Sequence, residues 1–253
     1  IQDDKLVPIE GLYNSVYPSI EAQSIIAQAV QKVLIEKISA EEAAAMIKPH
    51  SRIALGGFLA VGTPETILDA IVEAGINNLH IIAITSDYIG KGIGKLVDAH
   101  LVKSVQVSHM GTNKNIQDQV NSGEIQSELI PQGTLMERVR AFGAGLGGVL
   151  TPTGLGTIVA EGKQIINVDG KDYLLEPAIA SDFALIRAHK ADKAGNLIYR
   201  KTARNGNPVM AMAGKITIAE VDEILEDEYI DPEAVITPGV FVNYIVLSKK
   251  GRK

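Results

Sequence analysis

The sequence RIALGGFLAVGTPETILDAIVEA, residues 52–74, predicts a strand, a glycine-rich turn and a helix in direct succession. Residues 53–55 are apolar and form the predicted strand, and the turn covers residues 56–62. Thr63 is the expected N-cap of the helix, with Pro64 at the first helical position, where a missing N–H costs no hydrogen bond. Apolar residues then recur at helical spacing, which predicts a buried face. The stretch is therefore typical of an α/β protein.

The turn at residues 56–62 has the local chemistry of an anion site. A glycine-rich connection between a strand and a helix brings backbone N–H groups close to a ligand at the helix N-terminus, which suits a phosphorylated molecule. It is not a P-loop, because no Gly-Lys-Ser/Thr ends it, and its G-G-x-x-x-x-G spacing differs from the Rossmann G-x-G-x-x-G. A purely structural tight turn explains the same residues equally well, so the pattern alone leaves both interpretations open.

Strands and helices alternate along most of the remaining chain. A helix is expected after Ser39, whose hydroxyl forms a capping box with Glu42. Residues 79–85, LHIIAIT, are a continuous apolar run of the kind found in strands buried on both faces of a parallel sheet. We therefore expect an α/β fold with a mostly parallel sheet flanked by helices. Further strands are expected at residues 104–108, 127–131, 183–189, 197–200, 215–221 and 241–247, helices at 20–38, 114–122 and 135–141, and a hairpin turn at Asp169-Gly170.

Gln132 is a candidate for a polar site residue outside the turn. It follows the predicted strand at residues 127–131, and open α/β sheets place ligand-binding residues at the carboxyl ends of their strands. Its amide can orient a carboxylate or a carbonyl group without competing for a proton. Capping of backbone groups at the strand end is the simpler alternative and, from the residues alone, the better supported one.

Two other segments invite either a functional or a structural interpretation. Glycine is concentrated between residues 143 and 156. This indicates unusual backbone angles or close approach of another group to the main chain. A flexible linker is the alternative, and the apolar residues within the segment make it the weaker one. Residues 204–208, Arg-Asn-Gly-Asn-Pro, could reach a carboxylate or phosphate, although a simple loop fits them equally well. Neither segment decides between these alternatives by itself.

Composition and charge argue against several functional classes. The chain has 253 residues, 46% of them hydrophobic, which is enough for one large domain with a substantial core. A net charge of −6 argues against a nucleic-acid surface, and the absence of cysteine excludes disulfides, thiolate metal sites and a cysteine nucleophile. Five scattered histidines do not favour a metal site, and no apolar run is long enough to span a bilayer. With no visible signal peptide, a cytoplasmic location is the default expectation.

Five ordered blocks together resemble the α subunit of family I CoA-transferases. The similarity runs from about residue 39 to residue 248. It is greatest to the acetate or butyrate:acetoacetate type, with 3-oxoacid and 3-oxoadipate CoA-transferases as alternatives. The blocks are LGGFLAVGTP (55–64), ELIPQGTLMERVRAFGAG (128–145), TPTGLGTIVAEGK (151–163), DFALIRAHKADKAGNLIYRKTARNGNP (182–208) and ITPGVFVNYIV (236–246).

The resemblance implies an α/β fold of the NagB/RpiA/CoA-transferase type, with coenzyme A as a substrate rather than a permanent cofactor. The family's reaction passes CoA through a glutamyl-CoA thioester: an enzyme carboxylate attacks the acyl-CoA carbonyl, and the released thiolate attacks the resulting anhydride at the enzyme's acyl carbon. Gln132 would match a glutamine that faces this carboxylate. The residues that would match the family's CoA-binding loop are Gly56, Gly57, Phe58, Leu59, Ala60, Val61 and Gly62.

The family's catalytic glutamate lies in a Ser-Glu-Asn-Gly block that this chain lacks. Ser127-Glu128 is followed by Leu129-Ile130 instead, within a predicted strand, so no nucleophile is assigned here. The resemblance therefore implies an enzyme that acts on acyl-CoA and short-chain carboxylic acids only with a separate β subunit, in an expected α2β2 assembly. A non-catalytic CoA-binding protein and a sugar-phosphate isomerase of the same fold are alternatives, the second without a convincing acid–base pair.

Three features depart from the family pattern. Residues 1–38 extend beyond the usual α-subunit start, which predicts an N-terminal extension, 1–38, and an α-subunit domain, 39–253. Gly206 stands where the family has the aromatic residue of an Ala-Arg-Asn-Phe-Asn block, so the packing or pocket role of that position is open. The basic tail after Ser248 has no match.

Overall fold

A computed structural model describes residues 35–249, in which strands and helices alternate. The strands are β1 (Glu36–Lys37), β2 (Arg52–Leu55), β3 (Leu79–Ala83), β4 (Val102–Val107), β5 (Gln126–Leu129), β6 (Gly148–Thr151), β7 (Ile165–Val168), β8 (Lys171–Pro177), β9 (Ser181–Asp192), β10 (Leu197–Ile198), β11 (Gly214–Leu225) and β12 (Tyr244–Leu247). The α-helices are α1 (Ala40–Met46), α2 (Glu65–Glu73), α3 (Ile93–Asp98), α4 (Lys114–Asn121), α5 (Gln132–Gly143) and α6 (Asn207–Met210).

Nine of these strands form one sheet in the order β1-β12-β11-β9-β2-β3-β4-β5, with β10 paired beside β9. Every pair in this sheet is parallel except β9 with β10. Its central strands are buried on both faces, as continuous apolar runs require. The predicted α/β fold with a mostly parallel sheet flanked by helices is confirmed.

Helices cover both faces of the sheet and bury two apolar clusters. On one face, Ile67 of α2 packs in a cluster with Ile53 of β2, and α1, α3 and α4 add to the same cluster. On the other face, Leu135 of α5 belongs to a cluster with Ile82 of β3, to which α6 also contributes. Within residues 35–249, no helix combines the length and apolar character needed to cross a membrane.

The start of α2 differs from the prediction. Pro64, not Thr63, occupies the N-cap position, and neither side chain caps the helix. Instead the Glu220 carboxylate of β11 accepts hydrogen bonds from the backbone N–H groups of Thr66 (2.8 Å) and Ile67 (3.2 Å). A carboxylate is the stronger cap because it places a full negative charge at the positive end of the helix dipole. The predicted N-cap at Thr63 is therefore wrong.

Other predicted elements are present with shifted ends. The capping box of Ser39 and Glu42 opens α1 as predicted. The helix expected at 135–141 already begins at Gln132, and residues 204–208 run into α6 rather than forming only a loop. The helix expected at 20–38 lies outside the described residues except for its last ones, where Glu36–Lys37 form β1 and pair with β12.

β6, β8 and β7 form a separate three-stranded antiparallel sheet. The predicted hairpin joins β7 to β8 through Asp169 and Gly170, whose φ angles of 50° and 76° are those a type I′ turn needs. The glycine-rich segment 143–156 contains β6, so it is not a plain flexible loop. A Cβ on Gly148 would lie 2.5 Å from the carbonyl oxygen of Glu176, which is the close main-chain approach that the glycines indicated.

Candidate active site

The carboxyl ends of β2, β3 and β5 lie at the same edge of the parallel sheet and bring three segments together. The turn at residues 56–62 follows β2, Thr85 and Asp87 follow β3, and Gln132 follows β5. In open α/β sheets this edge is the usual place for ligand binding. The two candidate sites of the sequence, the turn and Gln132, therefore occur at one end of the molecule.

The turn is a tight hairpin with a strained centre. Phe58 and Val61 exchange backbone hydrogen bonds of 3.1 and 2.9 Å across it. Leu59 and Ala60 at its tip have φ angles of 50° and 62°. Left-handed backbone costs a non-glycine residue about 1–2 kcal/mol. Such strain persists only where the surrounding structure enforces it, so the contacts around the tip have to be strong.

Two side chains that follow β3 enforce the conformation of the tip. The Leu59 N–H donates to Thr85 Oγ1 at 3.1 Å, and the Ala60 N–H donates to Asp87 Oδ1 at 2.8 Å. Asp87 is only 3% exposed, and its other carboxylate oxygen accepts from the Ile93 N–H at 3.1 Å. Burial raises the pKa of the Asp87 carboxyl, against the opposing effect of these hydrogen bonds.

The base of the turn is held by Asn205 and by Asn207, the first residue of α6. The buried Asn207 side chain donates from Nδ2 to the Gly62 carbonyl at 2.9 Å and accepts the Arg187 N–H at Oδ1 at 3.0 Å. Asn205 Nδ2 donates to the Val61 carbonyl at 2.8 Å. A Cβ on Gly56 would lie 1.8 Å from Asn207 Oδ1, so this close contact requires glycine. Two residues of the polar segment 204–208 thus bind the turn's backbone.

The anion at the N-terminus of α2 is Glu220, a residue of the protein itself. Besides the two backbone N–H groups of α2, its carboxylate accepts from Thr66 Oγ1 (3.0 Å), Arg187 Nη1 (2.9 Å) and Ser248 Oγ (2.7 Å). The first amides of α2 are therefore not available to a phosphate. What the turn presents to solvent is apolar: Phe58 is 41% exposed and Val61 is 46% exposed.

Gln132 and the turn face a common cavity. Gln132 is the first residue of α5, is exposed, and makes no side-chain hydrogen bond to the residues that the structure describes. The cavity has a volume of about 490 Å³. We call it the loop–helix cavity, and its lining residues are Phe58, Ile84, Gln132, Met136, Asn205, Gly206 and Val209.

A second cavity of about 660 Å³ lies between α5 and β6. It shares Gln132 and Met136 with the loop–helix cavity, so the Gln132 side chain stands between the two. Its charged groups are Glu137 and Arg140, which pair with each other. A third cavity of about 320 Å³, on the sheet face around Arg52, contains neither Gln132 nor the turn.

Glu128 is not placed as a nucleophile. As predicted it lies in a strand, β5, where it accepts hydrogen bonds from Gln106 Nε2 (2.6 Å) and Arg138 Nη1 (3.0 Å). Burial would raise the pKa of the Glu128 carboxyl, but these two hydrogen bonds, together with the positive charges of Arg138 and Lys163, outweigh it and lower the pKa. The carboxylate is thus engaged by two side chains of this chain. Among the described residues, no group of three histidine or acidic side chains is arranged to hold a metal ion.

Sequence reasoning missed Asp87 and Glu220, which fix the turn and the helix that follows it. Glu220 carried a signal, because it interrupts the apolar run of residues 216–221, and a buried carboxylate needs partners. Asp87 stands at the end of the apolar run 79–84, at the position where site residues of parallel sheets are found. Neither pattern identifies the backbone groups to which the carboxylate is hydrogen-bonded.

The family model for coenzyme A transferase matches residues 37–248. Among curated proteins, the acetate CoA-transferase subunit alpha of Escherichia coli (strain K12) is 43% identical over 212 residues, which covers 84% of this chain and 96% of that protein. The acetoacetyl-CoA:acetate/butyrate CoA transferase alpha subunit of Clostridium acetobutylicum is 44% identical over 206 residues, covering 81% and 94%. Other relatives of similar identity bear succinyl-CoA:3-ketoacid or 3-oxoadipate names, so sequence identity does not single out one substrate.

A solved structure agrees with these relatives. An acyl-CoA transferase from Escherichia coli O157:H7, in a thioester complex with CoA, matches with a TM-score of 0.75 and 26% identity over 85% of this chain. The match covers 47% of that chain, so the present chain spans about half of its length. The resemblance seen in the sequence is thereby confirmed, and the chain belongs to the coenzyme A transferase family, among its α subunits.

Proposed function

We propose that this chain is the α subunit of a CoA-transferase that moves CoA between a short-chain acyl-CoA and a free carboxylic acid. The acyl-CoA is acetoacetyl-CoA, butyryl-CoA or acetyl-CoA, and the CoA passes through a glutamyl-CoA thioester on a partner β subunit. The observation that carries the proposal is the loop–helix cavity, in which Phe58 of the turn and the amide of Gln132 meet.

In this proposal the turn at residues 56–62 holds CoA by apolar contact. Its tip amides are already engaged by Thr85 and Asp87, so they have little capacity left for phosphate oxygens. The exposed Phe58 and Val61 side chains suit the apolar parts of the pantetheine arm. The phosphate groups of CoA then need other partners, on this chain or on the β subunit.

Gln132 has the role of orienting the reacting carbonyl or carboxylate. A neutral amide donates a hydrogen bond to an oxygen that gains negative charge during acyl transfer, and it does not exchange a proton with the nucleophile. Its position at the N-terminus of α5 adds the positive end of a helix dipole to the same place.

The nucleophile is assigned to the partner. The chain has no Ser-Glu-Asn-Gly block, and Glu128 is engaged by Gln106 and Arg138. Relatives named as alpha subunits support a separate β chain, and we propose an α2β2 assembly located in the cytoplasm. A 3-oxoacid or 3-oxoadipate CoA-transferase is the second candidate, which the succinyl-CoA:3-ketoacid and 3-oxoadipate relatives favour.

Trapping the thioester tests the division of labour. The chain is co-expressed with a β subunit of the same family, and the complex is incubated with acetoacetyl-CoA, reduced with borohydride and digested for mass spectrometry. We expect one modified glutamate, on the partner chain, and CoA exchange with acetate or butyrate. A modified residue on the present chain, or full activity of this chain alone, contradicts the proposal. If the complex binds CoA and forms no thioester, the protein is a non-catalytic CoA-binding protein.

A further inference from the structure

The loop–helix cavity has an apolar interior and a polar mouth. Ile84 and Gly206 are buried, whereas Gln132 and Asn205 are exposed beside the exposed ring of Phe58, so both polar groups lie toward solvent. Met136 supplies further apolar surface between them. The described lining contains no lysine, arginine or histidine. A ligand that fills the cavity therefore has an uncharged, apolar inner end and a polar outer end.

Gly206 is the buried lining residue at which any side chain would press against two other groups that line the cavity. Its φ and ψ angles of −84° and −4° are ordinary right-handed values, so the backbone does not require glycine. A Cβ at this position would lie 2.6 Å from Ile84 Cδ1 and 3.1 Å from Met136 Cε. Both atoms are ends of flexible side chains that line the cavity. A larger residue at position 206 would have to displace these two side chains, and the displaced groups would reduce the space in the cavity.

We propose that Gly206 sets the acyl specificity of the enzyme by opening the loop–helix cavity to an aliphatic chain of four or more carbons. This inference rests on the proposed function. The acyl carbonyl lies at the Gln132 amide, and the hydrocarbon chain extends inward past Met136 to Gly206. A dicarboxylic acyl group such as succinyl is disfavoured, because its second carboxylate would enter an apolar interior without a cation.

The magnitude follows from apolar burial. Each methylene group that enters the cavity gains about 0.8 kcal/mol, which corresponds to about fourfold in kcat/KM. Butyrate has two methylene groups more than acetate, so the wild-type complex should prefer butyrate by roughly 15-fold. A side chain at position 206 removes the space for those groups, and the preference should disappear.

The test compares acids in the assembled enzyme. Wild type and Gly206→Leu, each bound to the partner chain, are assayed for kcat/KM with acetate, butyrate, hexanoate and succinate as acceptors from acetoacetyl-CoA. We expect Gly206→Leu to lower the butyrate-to-acetate ratio roughly tenfold or more. Gly147→Leu is the matched control, since a Cβ there meets no atom within 4 Å and its φ is not in the left-handed region.

Met136→Ala keeps the test valid if Gly206→Leu fails to assemble. It enlarges the same cavity and should raise the hexanoate-to-butyrate ratio. An active wild-type complex whose ratios stay unchanged in the variants that assemble overturns the role of Gly206 and leaves the CoA-transferase function in place. A wild-type complex that uses succinate better than butyrate also overturns the role of Gly206 and leaves the CoA-transferase function in place. A wild type that transfers CoA to no acid overturns the proposed function, and this inference with it.

Discussion

Replacing Glu220 with glutamine tests how the turn–helix unit is anchored. Glu220 is fully buried in β11, and its two carboxylate oxygens accept five hydrogen bonds from the start of α2, Arg187 and Ser248. Glutamine has nearly the same shape as glutamate but offers only one acceptor oxygen. Its NH₂ group takes the place of the second oxygen and faces groups that donated hydrogen bonds to that oxygen. The substitution therefore removes charge and acceptors without leaving a cavity.

The orientation that costs least places the new NH₂ group toward Arg187. The hydroxyls of Thr66 and Ser248 can rotate to accept from it, whereas the rigid backbone N–H groups of Thr66 and Ile67 cannot. The substitution breaks the buried ion pair between Glu220 and Arg187. Removing one partner of such a pair costs about 3–5 kcal/mol. Arg187 keeps Asp222 as a partner, so we expect the lower end, about 3 kcal/mol. For a chain of this size that is a fall in Tm of about 6–12 °C.

Urea and thermal unfolding of wild type and Glu220→Gln, at equal protein concentration, measure this loss. Glu223→Gln is the control, because Glu223 is on the same strand but pairs with Lys190 at a site where its side chain is 49% exposed. Exposed pairs contribute less than about 1 kcal/mol, so the control should stay close to wild type. If Glu220→Gln is no less stable than Glu223→Gln, the buried carboxylate does not anchor α2.

Three further predictions concern the site. The folded-state pKa of Asp87 is raised above its ordinary value of 3.8, so the folded protein binds the extra proton, and the contribution of Asp87 to stability should fall as the pH rises from that value through the raised pKa. Asp87→Asn should remove this slope from the pH dependence of urea unfolding, and an unchanged slope contradicts it. Gln132→Leu should lower kcat on the order of 100-fold and leave Tm unchanged, because the side chain is exposed and, in the proposed function, donates a hydrogen bond to the reacting oxygen. Gly57→Val should weaken CoA binding to the assembled complex, measured by calorimetry, because φ at this residue is +119° and a Cβ would lie 2.2 Å from Thr63 Oγ1. An affinity equal to that of wild type would leave the turn with a structural role only.

The fold could be predicted from the sequence because its signals are local. Apolar runs such as residues 79–85 indicate buried parallel strands, and helical spacing after residue 64 indicates a crossover helix. The ends of elements depend on tertiary burial as well as on local composition. Gln132-Gly133-Thr134 has the composition of a turn, yet these residues form the first turn of α5, since the helix buries Thr134 and Leu135.

The contacts that shape the site could not be predicted because they join distant parts of the chain. Glu220 caps α2 by accepting the N–H of Thr66, which lies 154 residues earlier in the chain, and no spacing rule connects the two positions. Leu59 and Ala60 are poor residues for left-handed backbone, so local propensity argues against the turn that they form. Thr85 and Asp87 make that turn stable, and both are distant in sequence from it.

The hydrogen bonds that hold the tip of the turn affect the rate and the affinity with which the turn can bind a ligand. Because the Leu59 and Ala60 amides are already satisfied by Thr85 and Asp87, the turn loses little conformational entropy when a ligand arrives. The free energy of ordering is supplied when the chain folds, not when a ligand binds. We therefore expect free and CoA-bound forms to superpose closely over residues 56–62, with no lag in association from a slow loop closure.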